Sequence, residues 1–436
     1  TEIYTLSLHD ALPISDPVLF HNGERVTMKG FCTDIYFDQA MAWMEKTTAE
    51  KRPFFLYLPT NAPHSPFDDI PRDLYEQYKN VDLSSHRFPQ DQGHRLEEIK
   101  DLDRLARIYA MIANIDMNLG RLLAKLDELD ITRDTIVLYM NDNGPNGRRY
   151  VGGMRGEKTS VYEGGVRSPL FVRWPGRLQP GFANDRVVAH IDILPTLLQA
   201  CGVSRPDNLD GQSFWPLLSG ESPAWPDRPV FIQSQRGDQP VLYHNVCVRT
   251  QDWKLVHASG FGTESFSGAP NFELYDMKND PLELHNVADR FPDKTAELKK
   301  LYEQWFDDVS HTRVDNYAPP RIYIGAAEEN PVTLTRQDWR HEQGQIWAES
   351  SNGSWPVRIR SKGTYSFTVR FHSEHLPGLA KLQVAGNTWQ KEFNDRETEL
   401  VFDGISLDEG DAIIRITMTT AAVEKGPWQA DVYKID

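Results

Sequence analysis

The stretch that most constrains this chain is a strand-length apolar run that ends in an acid–amide turn. Residues Thr135 to Met140 read TIVLYM, and Asn141, Asp142, Asn143 and Gly144 follow directly. A short unbroken apolar run bounded by a turn predicts a parallel strand covered on both faces. Ligands of open α/β sheets gather at the carboxyl ends of such strands. Asp142 and Asn143 are hard oxygen donors suited to Ca²⁺ or Mg²⁺. A segment rich in glycine and charge follows, with Met154-Arg155-Gly156-Glu157-Lys158 and then Tyr162-Glu163-Gly164-Gly165-Val166-Arg167. A metal-ligand pair followed by a lysine on a Gly-rich segment points to chemistry on an anionic ester.

The surrounding pattern is α/β. Apolar residues at Ile35, Phe37, Ala40, Met41 and Met44 predict an amphipathic helix, with Thr33 or Asp34 as N-cap. Pro53 opens FFLYLP, a second continuous apolar strand. Leu102, Leu105, Ile108, Ile112, Ile115, Leu119, Leu122 and Leu126, at steps of three and four, predict a long helix over 101–129. Helices alternating with buried strands imply α/β layering. Residues 191–200 predict a short helix. Residues 229–276 hold short strands separated by Gly- and Asp-containing turns, a hairpin pattern, and a helix at 294–308 closes that part. Beyond a Pro-containing linker at 317–320 the chain is β-like. TYSFTVRF places Tyr365, Phe367, Val369 and Phe371 on one face, and further short strands predict a β-sandwich.

Bulk properties narrow the partners. At 436 residues the chain has room for two or three domains. The formal net charge of −16 argues against nucleic acid and anionic membranes as general partners. No apolar run approaches the ~20 residues of a membrane span. A local basic stretch at 148–177 still suits a small anionic substrate, and Arg148 and Arg149 lie where substrate recognition could sit. The three cysteines, Cys32, Cys201 and Cys247, form no metal-type spacing. Residues 1–15, TEIYTLSLHDALPIS, read as a non-native adapter-like leader and not as a signal peptide.

Four segments together resemble the sulfatases of the alkaline phosphatase superfamily: PFFLYLPTNAPHSPF (53–67), YAMIANIDMNLGRLLAKL (109–126), TIVLYMNDNG with MRGEKTSVYEGGVRSPLFVRWPG (135–176), and ELYDMKNDPLELHNVA (273–288). The resemblance implies an α/β, alkaline-phosphatase-like central sheet, present in part over 16–228. It implies a small C-terminal antiparallel sheet and helix over 229–316, with the β-sandwich appended at 320–436. By the same resemblance, Asp142 and Asn143 are two ligands of a divalent cation, usually Ca²⁺. Lys158 contacts the sulfate, and His64 bonds the sulfate or leaving oxygen. The activity implied is sulfate ester hydrolysis, plausibly on a sulfated glycan, in a periplasmic or secreted setting.

One departure stands out. The family's nucleophile lies in a Cys/Ser-x-Pro/Ala-x-Arg motif well upstream of the Asp-Asn-Gly turn, where its residue becomes formylglycine. No such motif occurs there in this sequence, nor does the family's first strand with two adjacent aspartates. Cys201-Gly202-Val203-Ser204-Arg205 is a near miss, better explained as a packed helix-end cysteine. The expectation is therefore a chain inert by itself, with weak metal affinity. Two rivals remain open: a phosphoester or phosphonate hydrolase of the same superfamily, and a non-catalytic glycan-binding protein. Five of the eleven tryptophans (Trp339, Trp347, Trp355, Trp389 and Trp428) fall in the β-like region, where core packing is the commoner role and sugar stacking the alternative.

Overall fold

The computed structural model describes residues 6–7, 14–22, 24–220, 225–235, 237–261, 266–343, 348, 350–371, 376–421 and 423–436. Most of the leader 1–15, and Trp347, therefore lie outside the described residues. The chain divides into two units, one of residues 13–17 and 28–317, the other of residues 1–12, 18–27 and 318–436. The short strands β1 (Leu6–Ser7), β2 (Val18–His21) and β3 (Glu24–Thr27) form an antiparallel sheet in the second unit.

The first unit opens with α1 (Cys32–Ala49), followed by α2 (Arg72–Lys79) and α3 (Leu102–Glu128). Ile35, Phe37, Ala40, Met41 and Met44 are buried on α1, as their spacing predicts. The helix starts earlier than expected. Phe31 occupies the N-cap position, and Thr33 and Asp34 lie inside the first turn. Tertiary bonds explain the shift, because Asp34 accepts hydrogen bonds from Asn114 and Asn118 of α3 at 2.8 and 2.6 Å. On α3 the apolar stripe is buried at Leu105, Ile108, Ile115, Leu122 and Leu126, while Leu102 and Ile112 are exposed.

Two strand expectations are corrected. Strand β4 (Val137–Met140) pairs antiparallel with β5 (Leu170–Arg173), and these two make up their sheet. All four residues of β4 are half-buried, so the strand is neither parallel nor covered on both faces. Residues 53–59 belong to no strand, because they join no ladder among the described residues. Their burial nevertheless alternates. Phe54, Leu56 and Leu58 pack on the cluster of Phe37, Met41, Met44, Leu122 and Leu126, while Phe55 and Tyr57 are 75% and 78% exposed.

Between these strands lies the single turn α4 (Glu163–Val166), and after β5 come α5 (Ile193–Ala200) and α6 (Trp215–Leu218). Strands β6 (Val230–Gln233), β7 (Val246–Arg249), β8 (Trp253–His257) and β9 (Glu273–Asp276) form an antiparallel meander. Helix α7 (Pro292–Val309) covers it through Leu298 and Tyr302, which pack on Val246, Val248, Leu255 and Leu274. Hairpin spacing predicts this arrangement.

Residues 318–436 of the second unit form a two-sheet sandwich. One sheet contains β10 (Ile322–Ile324), β12 (Arg340–Gln343), β13 (Asn352–Ile359), β15 (Gly378–Val384), β16 (Asn387–Phe393), β18 (Gly410–Thr420) and β19 (Glu424–Lys425). The other contains β11 (Val332–Thr335), β14 (Gly363–Arg370), β17 (Glu399–Leu407) and β20 (Gln429–Lys434). Inward side chains of both sheets share one core that includes Tyr365, Phe367, Val369 and Phe371. Trp339 and Trp355 belong to that core and Trp389 packs against it, whereas Trp428 is partly exposed. No helix among the described residues is long and apolar enough to cross a membrane.

Candidate functional site

Asp142 is exposed at the end of β4, and its carboxylate accepts the backbone N–H of Asn143 at 2.9 Å. The turn is held to the following segment by backbone. Gly144 N–H donates to the Gly165 carbonyl at 2.8 Å, and Lys158 N–H donates to the Pro145 carbonyl at 2.9 Å. The glycines allow this approach. A Cβ on Gly144 would lie 2.0 Å from the Gly164 carbonyl oxygen, and one on Gly165 would lie 2.2 Å from that of Ser160. Thr159 adopts a left-handed φ of 75°, which turns the chain immediately after Lys158, and its carbonyl is held by Asn245 at 2.9 Å. The structure thus brings Lys158 to the Asp142–Asn143 turn. Lys158 is half-buried, and its ammonium makes no hydrogen bond or ion pair among the described residues. Such an ammonium is free to take an anion.

His64 is linked to this region only through a neighbour in the chain. Ala62, two residues before it, packs in the cluster that also holds Tyr139, three residues before Asp142. The ring is exposed, and its Nδ1 lies 3.0 Å from the Ser65 carbonyl oxygen and 3.2 Å from Ser65 Oγ. No hydrogen bond joins His64 to Asp142, Asn143 or Lys158 among the described residues.

The basic stretch is largely committed elsewhere. Arg148 is ion-paired with Glu97 at 2.6 Å. Arg149 folds back on the Asn146 carbonyl at 2.7 Å, and burial, with the nearby Arg104 charge, holds its guanidinium below the usual value. Arg155 lies 3.8 Å over the Tyr162 ring and pairs with Glu273 at 3.3 Å.

Sequence reasoning missed two features. His190 is exposed, with its Nε2 3.3 Å from the Asn141 carbonyl oxygen at the end of β4. It is placed there by Asp192, a fully buried carboxylate that accepts the N–H groups of Ala189 and Gln212 and pairs with Arg228. The signal available was the His-Ile-Asp sequence just before α5. The second feature is a buried charge cluster behind the loop. Lys254 is fully buried, 2.9 Å from Glu163 and 2.8 Å from Glu283, and Glu283 also accepts the Glu163 N–H at 2.8 Å. Burial opposes charge on all three groups. Lys254 nonetheless stays above its usual value beside Cys247 and the two carboxylates, and Glu163 stays below its own because Lys254 is adjacent. Burial wins at Glu283, whose carboxyl is pushed up. Strand β8 thereby anchors the helical turn that follows Lys158.

The two buried cysteines supply no activated thiolate. Burial raises Cys32 and pushes Cys247 up to about 11. Cys201 sits at the C-cap of α5 and is exposed, not packed as expected, because the helix ends at the surface. A Ser-x-Pro-x-Arg string does occur at Ser354-Trp355-Pro356-Val357-Arg358, which sequence reading passed over. It lies in β13, with Ser354 donating to Glu342, Trp355 in the sandwich core and Arg358 paired with Asp411. That setting makes it structural.

Asp142 and Asn143 suit a hard divalent cation in donor type, and they would fill only part of the six to eight oxygen positions Ca²⁺ takes. No cluster of three or more His, Cys, Asp or Glu able to hold a metal occurs among the described residues.

Comparison with known proteins decides the family. A profile described as Sulfatase matches residues 12–203, and one described as N-sulphoglucosamine sulphohydrolase, C-terminal, matches residues 156–310. Arylsulfatase K of Xenopus laevis is 31% identical over 69% of this chain and 62% of its own length. The chain belongs to the sulfatase family. An N-acetylglucosamine-6-O-sulfatase of Bacteroides thetaiotaomicron is 25% identical over 68% of this sulfatase chain and 65% of its own length. These two curated relatives are thus matched over 62% and 65% of their length. Among solved structures, Ps i-CgsB in complex with k-i-k-neocarrahexaose aligns with a TM-score of 0.55 at 24% identity, covering 66% of this chain and 58% of that one. BT4656 with its substrate D-glucosamine-2-N,6-O-disulfate aligns with a TM-score of 0.52 at 22% identity, covering 70% and 75%. These structures show the fold, an alkaline-phosphatase-like α/β architecture.

Proposed function

We propose that this sulfatase-family chain carries the anion-holding half of a sulfate ester hydrolase site, built from Asp142, Asn143, Lys158 and His64. The observation that carries the reading is the pair of backbone hydrogen bonds fastening the Lys158 loop to the Asp142–Asn143 turn. A bound divalent cation, Ca²⁺ in this proposal, would supply charge for a sulfate oxygen. Lys158 holds a second sulfate oxygen through its uncommitted ammonium, which stabilises charge that grows during S–O cleavage. In a complete site, where a nucleophile bonds sulfur as the S–O bond breaks, His64 would give a proton to the leaving oxygen. The substrate class is a sulfated sugar, supported by the N-acetylglucosamine-6-O-sulfatase relative and by the disulfated glucosamine bound to a structural neighbour. Arg148 and Arg149 are proposed to face the sugar, although both are engaged by Glu97 and by backbone.

No Cys/Ser-x-Pro/Ala-x-Arg string precedes Asp142. In this proposal the 436-residue polypeptide alone binds sulfate esters but does not hydrolyse them. Incubating the purified chain and calcium with a chromogenic aryl sulfate tests this. Sulfate release at the buffer rate is expected, and multiple turnovers that Lys158→Ala abolishes would overturn it.

A further inference from the structure

The outer face of the seven-stranded sandwich sheet is hollowed where the inner face is simply core. On β15, Ala380, Leu382 and Val384 point inward into the core, as do Ile414, Ile416 and Met418 on β18. The intervening residues face outward. There Leu379 opposes Thr419, Lys381 opposes Thr417 and Gln383 opposes Arg415 in the antiparallel register. An outward face of this kind is ordinarily open to water, yet Thr417 is only 8% exposed. These residues, with Glu342 of β12 and Glu424 of β19, line a half-open cleft of about 360 Å³. That volume lies within the roughly 300–1,000 Å³ of small-ligand sites. A second cleft of about 250 Å³ adjoins it, sharing Gln383 and Arg415 and reaching Ile413. The two make one groove across the sheet.

The groove's chemistry selects among ligands. Arg415 is paired with Glu342, which also accepts from Ser354 Oγ at 2.7 Å, so that charge pair is internally balanced. Glu424 accepts weakly from Thr419 at 3.4 Å. Lys381 is half-buried in the floor, and its ammonium makes no hydrogen bond or ion pair among the described residues. An ammonium with no protein partner is available to an anion. Around it stand the amide of Gln383 and the hydroxyls of Thr417 and Thr419, a mixed set of donors and acceptors. Leu379 at one end and Ile413, 57% exposed, at the other supply aliphatic ledges. Hydroxyl-rich edges, apolar C–H faces and one acidic group describe an acidic sugar chain. A polynucleotide fits poorly, since it asks for a basic stripe and stacking aromatics.

We propose that this groove is a binding site for an acidic saccharide, with Lys381 holding its sulfate or carboxylate and Gln383, Thr417 and Arg415 bonding its hydroxyls. The site lies in the sandwich and does not rest on the reading of Asp142 and Lys158, so failure of one leaves the other standing. The test is calorimetric titration of the full chain with short dextran sulfate and with unsulfated dextran of equal length. The expected result is saturable binding of the sulfated chain, at least tenfold weaker binding of the unsulfated one, and at least a tenfold loss in Lys381→Met. Lys381→Arg should retain binding, which separates charge from folding. Lys362→Met, which removes an exposed lysine paired with Asp408 outside the groove, should bind as the parent does. Absence of saturable binding by the parent would overturn the proposal. So would unchanged affinity in Lys381→Met, or an equal loss in Lys362→Met.

Discussion

The sandwich and the β4–β5 ribbon are both rich in apolar strand residues, but they solve burial differently. In the sandwich, β14 alternates along its length, and its inward residues Tyr365, Phe367 and Val369 lie in the shared core. In the ribbon and its neighbour 53–59, apolar residues occupy both faces and only one face is packed. Leu56 and Val137 join the helix cluster, while Phe55, Tyr57 and Phe171 stand 65–78% exposed. The difference teaches that alternation predicts an environment, whereas a continuous apolar run predicts two environments and says nothing about which is filled. The functional residues lie at the end of the ribbon, and their rigidity comes from elsewhere, from the glycine contacts and the buried charges behind them.

That division can be broken experimentally. The largest effect should come from Lys254→Met, which leaves Glu163 and Glu283 buried without their shared cation. Removing one partner of a buried ion pair costs about 3–5 kcal/mol. The sign of the pH dependence follows from the direction of each shift. In the parent, Glu163 is held low, so its contribution is present above the unfolded carboxylate pKa and fades as pH falls through the folded value. Without Lys254, burial pushes Glu283 further up and Glu163 keeps only the more distant Arg249, 3.7 Å away, as its ion-pair partner, so folding takes up protons. The deficit should therefore be largest near neutral pH and shrink as the solution is acidified. Urea unfolding at a series of pH values checks this, and a deficit that grows toward acid would refute it.

The next contrast sets the two apolar regions against each other. Trp355→Ala opens a cavity in the sandwich core and should cost about 3–5 kcal/mol. Phe55→Ser removes a side chain that is 75% exposed and should change stability by no more than about 0.5 kcal/mol. Thermal unfolding of both variants measures the difference. A large loss in Phe55→Ser would mean that its face is covered in solution.

Much of the fold was legible because period and burial agreed. The Tyr365–Phe371 face, the β6–β9 hairpins and the buried stripe of α3 follow from spacing alone. The four motif segments carried the family. Four things did not follow. The cap of α1 moved to Phe31 because Asp34 bonds α3, a contact remote in sequence. The half-exposure of Val137–Met140 was hidden because an apolar run looks alike whether one face or two are covered. Lys254 reads as a solvated lysine until Glu163 and Glu283 are seen beside it. His190 is brought to the end of β4 by the buried Asp192 network, which local sequence does not reveal.

A binding measurement tests the central claim most directly, since it leaves the fold untouched. Calorimetric titration of a sulfated monosaccharide, in saturating calcium, should be run on the parent, Lys158→Ala and Asp142→Ala. Weak saturable binding is expected for the parent. Both variants should lose at least tenfold in affinity with unchanged unfolding midpoints. Equal affinity in all three proteins would contradict the assignment of Asp142 and Lys158 to one anion-holding site.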